Sequence, residues 1–308
     1  MINIGVAFQS ERTIKAVIGV SIEEFNKLLP KFAEELEKER LSTASLPTSY
    51  RAPGAGRKHT LHGAKEKLFY ILYYLKCYPT YDLAGLCFDV DRSQACRWVE
   101  ELLPILRKVL AREQVLPLRG GLSDEENSYL FQDLTELYLD GTERPVQRPV
   151  EHEHQKACYS GKKKRHTRKN LILNDERKRV LILIGTCEGK KHDYTIFKNS
   201  RLAQLIPEQC NVFVDLGFQG IETDYPKLSV LIPFKKPKGG TLNQVEKKIN
   251  HLIAQLRVLS ENTIAGIKRL RCVTDIFRNK RHAMADTFME LACGLWNFHI
   301  EICDKSLA

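Results

Sequence analysis

Two apolar, β-branched runs, KNLILND (169–175) and RVLILIGTC (179–187), are separated by the charged stretch DERKR (175–179). A short charged turn between two such runs predicts a β-hairpin. More strand-like runs flank it: LTELYLD (134–140) before, NVFVD (211–215) and KLSVLIPF (227–234) after. HDYTIFKNSRLAQLI (192–206) reads as a helix, and a long helix runs from about Leu242 to Leu270. Three antiparallel-looking strands, a helix, two more strands and a closing helix follow the order of an α/β sandwich. No internal repeat interrupts it.

The first third of the chain has a different texture. SIEEFNKLLPKFAEELEKER (21–40) is a helix with a capping box from Ser21 and Glu24 and an apolar stripe through Phe25, Leu28, Leu29, Phe32 and Leu36. Pro30 inside it predicts a kink or break. LSTASLPTSYRAPGAGRKHT (41–60) reads as a linker or loop. AKEKLFYILYYLKC (64–77) is apolar or aromatic on most sides, as a buried helix is. TYDLAGLCF (80–88) is a short helix, and after a three-residue break DRSQACRWVEELLPIL (91–106) is the next, with Asp91 as its cap. Ala95, Trp98, Val99 and Leu102 form its buried stripe, leaving Ser93, Gln94 and Arg97 on the exposed side of its first turns. Two short helices around a tight turn suggest a helix-turn-helix. Its second helix would set Ser93, Gln94 and Arg97 against base edges in a major groove; a plain helical bundle has the same pattern.

Bulk properties narrow the function classes. Of 308 residues 43% are hydrophobic, enough for a packed core, and the net charge of +10 suits a polyanionic partner such as nucleic acid. No apolar run reaches the roughly 18 residues of a membrane span. The first twenty residues carry Glu11, Arg12 and Lys15 and do not read as a signal peptide. Nine cysteines without a C-x-x-C pair fit reduced thiols in a cytoplasm. EHEHQKAC (151–158) offers His152, His154 and Cys158 but no fourth partner at zinc spacing.

Three carboxylates stand out. Asp140 and Asp215 each end an apolar run shortly before a glycine, Gly141 and Gly217. Either is an ordinary turn residue taken alone, and Asp-Gly is a strong hairpin signal. Glu261 lies on the long helix with Arg257 and Lys268, four and seven residues apart in span, on a face other than the apolar stripe Val245, Ile249, Leu252 and Leu256. Strand-end carboxylates with one from a helix could cradle two hard divalent ions about 4 Å apart, which is what in-line phosphodiester cleavage uses. Arg257 and Lys268 could then hold phosphates. A solvated ion pair on a helix surface is the plainer reading.

Four motifs make the chain resemble the DDE transposases of bacterial insertion sequences, in the large group numbered five. They are DGTERPVQRP (140–149), YSGKKKRHTRKN (159–170), HDYTIF (192–197) leading to VDLGFQGI (214–221), and Arg257, three residues, Glu261, six residues, Lys268. The resemblance covers residues 126–300 closely, and 59–110 is similar to the helix-turn-helix that often precedes such a domain. The tyrosine that usually stands three positions before the arginine is Ala254 here.

The resemblance implies three regions: an N-terminal helix and linker over 1–58, an all-α helix-turn-helix domain over 59–113, and an α/β, RNase H-like catalytic domain over 126–308. It implies Asp140 on the first strand, Asp215 after the fourth and Glu261 on a later helix, together binding two Mg²⁺ or Mn²⁺ ions. Asp140 is expected to end its strand, with Gly141 letting the chain leave sharply. The expected reaction is DNA cleavage at terminal inverted repeats, then attack of the freed 3′-hydroxyl on target DNA. Lys162, Lys163, Lys164 and Arg165, in a run with six Lys/Arg between 162 and 169, are expected on the DNA backbone with Arg257 and Lys268. His192 and Asp193 are expected to support the site without binding metal directly. The partners are double-stranded DNA and at least one further copy of the chain, in the cytoplasm. A silent DNA-binding descendant and a general RNase H-like nuclease are the alternatives.

Overall fold

The computed structural model describes residues 2–44, 61–119, 130–279 and 281–307. Two compact units divide the chain: residues 1–116 with 269–272 and 301–308, and residues 117–268 with 273–300. No helix among the described residues is long and apolar enough to cross a membrane.

The first unit is helical: α1 (Ile4–Ala7), α2 (Glu11–Ile18), α3 (Ile22–Ala44), α4 (Ala64–Cys77), α5 (Tyr81–Phe88) and α6 (Arg92–Arg112). The expected capping box opens α3: Glu24 N–H donates to Ser21 Oγ at 3.0 Å, and Ser21 N–H to Glu24 Oε2 at 2.6 Å. Pro30 does not break α3, which runs through it. The missing N–H costs one helical bond, but Phe25, Leu28 and Phe32 on either side are fully buried and hold the helix to its neighbours. Leu41–Ala44, expected in the linker, continue α3, and residues 45–60 lie outside the described residues.

Helix α4 is buried from Leu68 to Leu75, as its apolar circumference required. Between α5 and α6 the chain turns through Asp89, in the left-handed region at φ 57°. Gly85 permits this tight turn, since a Cβ there would sit 2.5 Å from the Val90 carbonyl oxygen. Asp91 caps α6, accepting from the N–H groups of Ser93 and Gln94 at 2.8 and 3.0 Å. Ala95, Trp98, Val99 and Leu102 are buried, while Ser93 and Arg97 are exposed and Gln94 is half-buried.

The second unit is built on one mixed sheet: β1 (Glu136–Pro145), β2 (Tyr159–Ser160), β3 (Arg165–Asp175), β4 (Val180–Leu183), β5 (Cys187–Glu188), β6 (Asn211–Phe213) and β7 (Ser229–Leu231). Its order is β2-β3-β1-β6-β7, with β4 and β5 also pairing β3. β1, β3 and β4 are antiparallel neighbours, whereas β6 and β7 run parallel to β1. This is an RNase H-like arrangement. Without the two-residue strands β2 and β5, β6 is the fourth strand, which is where the second aspartate was expected.

Among the described residues, this unit carries the helices α7 (His152–Cys158), α8 (Asp193–Asn199), α9 (Leu202–Leu205), α10 (Ile221–Asp224), α11 (Gln244–Ile267) and the greater part of α12 (His282–Leu307). The single helix expected over 192–206 is therefore two short ones. On one sheet face Leu137, Leu139, Leu171 and Leu173 pack with Ile196, Phe197, Leu202 and Ile206 from α8, α9 and the loop after. On the other, α11 lies against β1 and β6. Arg144 there is buried and donates to the Ala285 carbonyl of α12 at 3.0 Å, to Asn170 Oδ1 at 2.7 Å and to Thr186 Oγ1 at 3.0 Å. Helix α11 buries Ile253, Ser260, Thr263 and Ile267, and turns Val245 and Leu252 of its apolar stripe outward.

Candidate active site

The sheet register sets the two aspartates level. Tyr138 of β1 pairs Phe213 of β6, the last paired position of the two parallel strands, and their rings stack at 5.1 Å. Each chain continues two residues to a carboxylate, Asp140 and Asp215. Because strand side chains alternate, both aspartates fall on the face where Tyr138 and Phe213 stack. Asp215 is still extended, at φ −89° and ψ 175°, and it caps a 3₁₀ turn by accepting from Gly217 N–H at 2.7 Å.

Asp140 does not end its strand. β1 continues to Pro145, with Asp140 opposite Ile172 and Pro145 opposite Thr167 on β3. It is β6 that stops, so Asp140 loses its neighbour on that side only. Gly141 is not in the left-handed region either. Its missing side chain serves a close approach instead: a Cβ at 141 would lie 2.9 Å from Cγ of Asp193.

Oδ1 of Asp140 accepts from Gly141 N–H at 2.7 Å, and Oδ2 lies 3.9 Å from Nη2 of Arg257. Burial pushes the Asp140 carboxyl up to about 6; Arg257 and the Gly141 N–H act against this, and the charges of Asp215 and Asp193 add to it. The donor set suits a hard divalent cation. Two carboxylates on one face crowd negative charge together, and a cation between them would relieve the repulsion.

Lys268, at the C-terminus of α11, has its ammonium pushed down by burial and by Lys163 and Arg144, with Asp140 and Glu143 opposing. Lys163 thus brings the β2–β3 hairpin tip within electrostatic range of the site. Lys162, Lys163, Lys164 and Arg165 are all exposed there. Lys169, from the same run, is turned inward, with Nζ 3.3 Å from Glu143 Oε1 and 3.2 Å from Asp193 Oδ1.

Glu261 is exposed on α11, one helical turn beyond Arg257, and no hydrogen bond or ion pair joins it to either aspartate among the described residues. No group of three His, Cys, Asp or Glu side chains among the described residues is close enough to hold a metal ion. The structure therefore brings together Asp140, Asp215 and Arg257, with Lys268 in electrostatic reach, and leaves Glu261 further along the helix. His192 precedes α8 with its ring exposed, while Asp193 reaches Gly141 and Lys169. Sequence reasoning passed over Glu143, Arg144 and the inward turn of Lys169. The signal was parity along DGTER, which puts Gly141 and Glu143 on one face and Asp140, Thr142 and Arg144 on the other once the strand runs through.

An RNase H-like sheet with two aspartates side by side on one face, in a chain that also carries a helix-turn-helix, defines the class of DNA-directed endonucleases to which transposases belong. The chain belongs to the DDE superfamily endonuclease family, whose model matches residues 139–297. A second model, the helix-turn-helix of DDE superfamily endonuclease, matches residues 59–112. The chain is also similar to a probable transposase for insertion sequence element IS702 from Microchaete diplosiphon, 28% identical over 295 residues that cover 94% of this chain and 95% of the relative. No solved structure matches.

Proposed function

We propose that this chain is an active transposase, cutting DNA at the terminal inverted repeats of its element and joining the freed ends to target DNA. The observation that carries this reading is the placement of Asp140 and Asp215 on one sheet face, two residues beyond the paired Tyr138 and Phe213. Asp140, Asp215 and Glu261 would hold two Mg²⁺ or Mn²⁺ ions. When bound, the ions supply charge stabilisation at the attacking and leaving oxygens of an in-line displacement.

The protein's own side chains do the rest. Ser93, Gln94 and Arg97 at the start of α6 read base edges and select the element end. Lys162, Lys163, Lys164 and Arg165 grip phosphates without reading sequence, and Lys268 and Arg257 hold those nearest the cut. In the first step a water oxygen attacks phosphorus, and the 3′-oxygen leaves as a hydroxyl. In the second, that 3′-hydroxyl attacks a target phosphodiester and displaces a target 3′-oxygen. Pairing two ends takes at least a dimer on the DNA, in the cytoplasm where the element lies.

The test is full-length protein with a duplex carrying the element's end and a target plasmid, in Mg²⁺ or Mn²⁺. Nicked and joined products are expected from the wild type and neither from Asp140→Asn or Asp215→Asn. Cutting without end preference or joining would identify a general RNase H-like nuclease. End binding without cutting in either metal would identify a silent DNA-binding descendant.

A further inference from the structure

The sheet face opposite Asp140 carries a charge bridge that the reaction has not yet used. Glu143 and Lys169 are direct partners in the β1–β3 register, so both side chains point to the same side, that of α8. There Lys169 is only 12% exposed. Its ammonium lies 3.3 Å from Glu143 Oε1 and 3.2 Å from Asp193 Oδ1, and it donates to the Lys191 carbonyl at 2.9 Å. Two of its N–H donors thus meet acceptors from α8 and from the loop before α8, and Glu143 of β1 adds an ion pair. Glu143 is held from its other oxygen, which accepts from Thr167 Oγ1 at 3.0 Å.

The bridge ends on the backbone of the site. Asp193, fixed by Lys169, fills the space that a side chain at Gly141 would take, its Cγ 2.9 Å from the Cβ position. Gly141 in turn donates its N–H to Asp140 Oδ1 at 2.7 Å. That bond occupies one carboxylate oxygen and leaves Oδ2 for the face shared with Asp215.

We propose that Lys169 is a positioning residue of the carboxylate site: held between Glu143 and Asp193, it keeps Asp193 against the bare α-carbon of Gly141 and so fixes the N–H that orients Asp140. The inference rests on the reading of Asp140 as a metal ligand. It also divides the basic run into two jobs. Lys162, Lys163, Lys164 and Arg165 face solvent, whereas Lys169 is an internal counter-charge. A lysine serving DNA contact would affect DNA binding and its salt dependence; Lys169 acts on metal binding with no DNA present.

The experiment compares full-length wild type, Lys169→Met, Lys169→Arg, Asp193→Asn and Lys163→Met. Three readouts are taken: Mn²⁺ binding without DNA by electron paramagnetic resonance, the metal concentration that half-saturates single-turnover cleavage, and thermal unfolding. Lys169→Met and Asp193→Asn are expected to weaken Mn²⁺ binding about tenfold or more and to raise the half-saturating metal in proportion. Lys169→Arg, which keeps the charge, recovers most of that loss, and Lys163→Met does not weaken Mn²⁺ binding. Wild-type Mn²⁺ binding in folded Lys169→Met overturns the proposal. Should Lys169→Met fail to fold, Asp193→Asn decides in its place, and normal Mn²⁺ binding there overturns the proposal equally. A wild type that binds Mn²⁺ but cuts no DNA sinks the reaction and leaves the positioning role to be judged from Mn²⁺ binding; a wild type that binds none sinks both.

Discussion

Arg257 Nη2 stands 3.9 Å from Asp140 Oδ2, and the other oxygen of that carboxylate is already taken by Gly141 N–H. The separation is too long for a hydrogen bond, so the contact is one of charge. Arg257 is thus the local counter-ion of the oxygen that faces the shared site. A divalent ion arriving at Oδ2 meets a fixed positive charge, and Arg257→Met is expected to tighten Mn²⁺ binding in the absence of DNA, by about three- to tenfold. Cleavage at saturating metal should fall in the same variant, because the guanidinium proposed to hold a phosphate is gone. A titration showing weaker Mn²⁺ binding would instead make Arg257 a support of the ligands.

The Asp140 carboxyl, raised to about 6 from an ordinary value of 3.8, has a stability consequence. Its folded-state value lies above its unfolded one, so the native state binds the extra proton between those limits. Stability from this group is therefore full below about pH 4 and is lost as pH rises through 6. At pH 7 the ionised carboxylate costs up to about 3 kcal/mol. Asp140→Asn removes the charge without changing the shape. It should raise the unfolding temperature at pH 7.5, have little effect near pH 4, and abolish cleavage. Equal unfolding temperatures for the two proteins at pH 7.5 would show that Asp140 is not strained in this way.

Gly141→Ala tests the close approach from the other side. The new methyl would overlap the Asp193 carboxyl, with 2.9 Å to Cγ and nothing flexible enough to yield, since Lys169 holds that carboxylate. Overpacking of this kind costs about 1–3 kcal/mol. Thermal unfolding should register the loss, and the double variant Gly141→Ala with Asp193→Ala should recover part of it. Full stability of the single variant would mean that the loop before α8 moves freely.

Much of this was legible in the sequence, and the reasons differ by element. The β3–β4 hairpin and the β6 strand were readable because their apolar runs are bounded by charges and glycines. The register that sets Asp140 beside Asp215 was not, since pairing is a property of two strands and neither run alone specifies it. The run through Asp-Gly was misread as a turn, because β3 supplies partners for Asp140 to Pro145 that no local pattern announces. Charge facing was also hidden. Lys169 belongs to a run that looks uniformly solvated, yet strand alternation turns it inward while the hairpin tip stays out. On α11 the apolar stripe suggested the packed side, whereas Leu252 is 57% exposed and the mixed set of Ile253, Ser260 and Thr263 is buried.

The two proposed kinds of DNA contact separate by salt. Arg97→Ala and Gln94→Ala, on the outer side of α6, should reduce discrimination between the element's end and unrelated duplex, by about 1–3 kcal/mol for a lost base contact. Lys163→Ala should weaken binding to both duplexes equally and lower the salt slope by about one. Anisotropy titrations across a range of salt concentrations read both. A changed end preference in the Lys163 variant would place the hairpin tip in a groove rather than on phosphates.

Glu261 gives the sharpest separation of function from stability. It is exposed and, among the described residues, makes no hydrogen bond or ion pair, so the folded protein has little to lose from Glu261→Gln. Unfolding should stay within about 0.5 kcal/mol of the wild type, as for a surface substitution. Strand cleavage should nevertheless collapse, because the third carboxylate proposed for the site is gone. Asp140→Asn is expected to be more stable than the wild type at pH 7.5 with the same loss of cleavage, so measuring both variants distinguishes a buried proposed ligand from an exposed one. The position of Glu261 one turn beyond Arg257 adds a further expectation: it reaches the shared face only with DNA and metal in place. A distance measured between spin labels on α11 and β6 should then shorten when Mg²⁺ and an element end are added together, and stay unchanged with either alone. Cleavage by Glu261→Gln at the wild-type rate would remove the residue from the site and leave Asp140 and Asp215 to act without it.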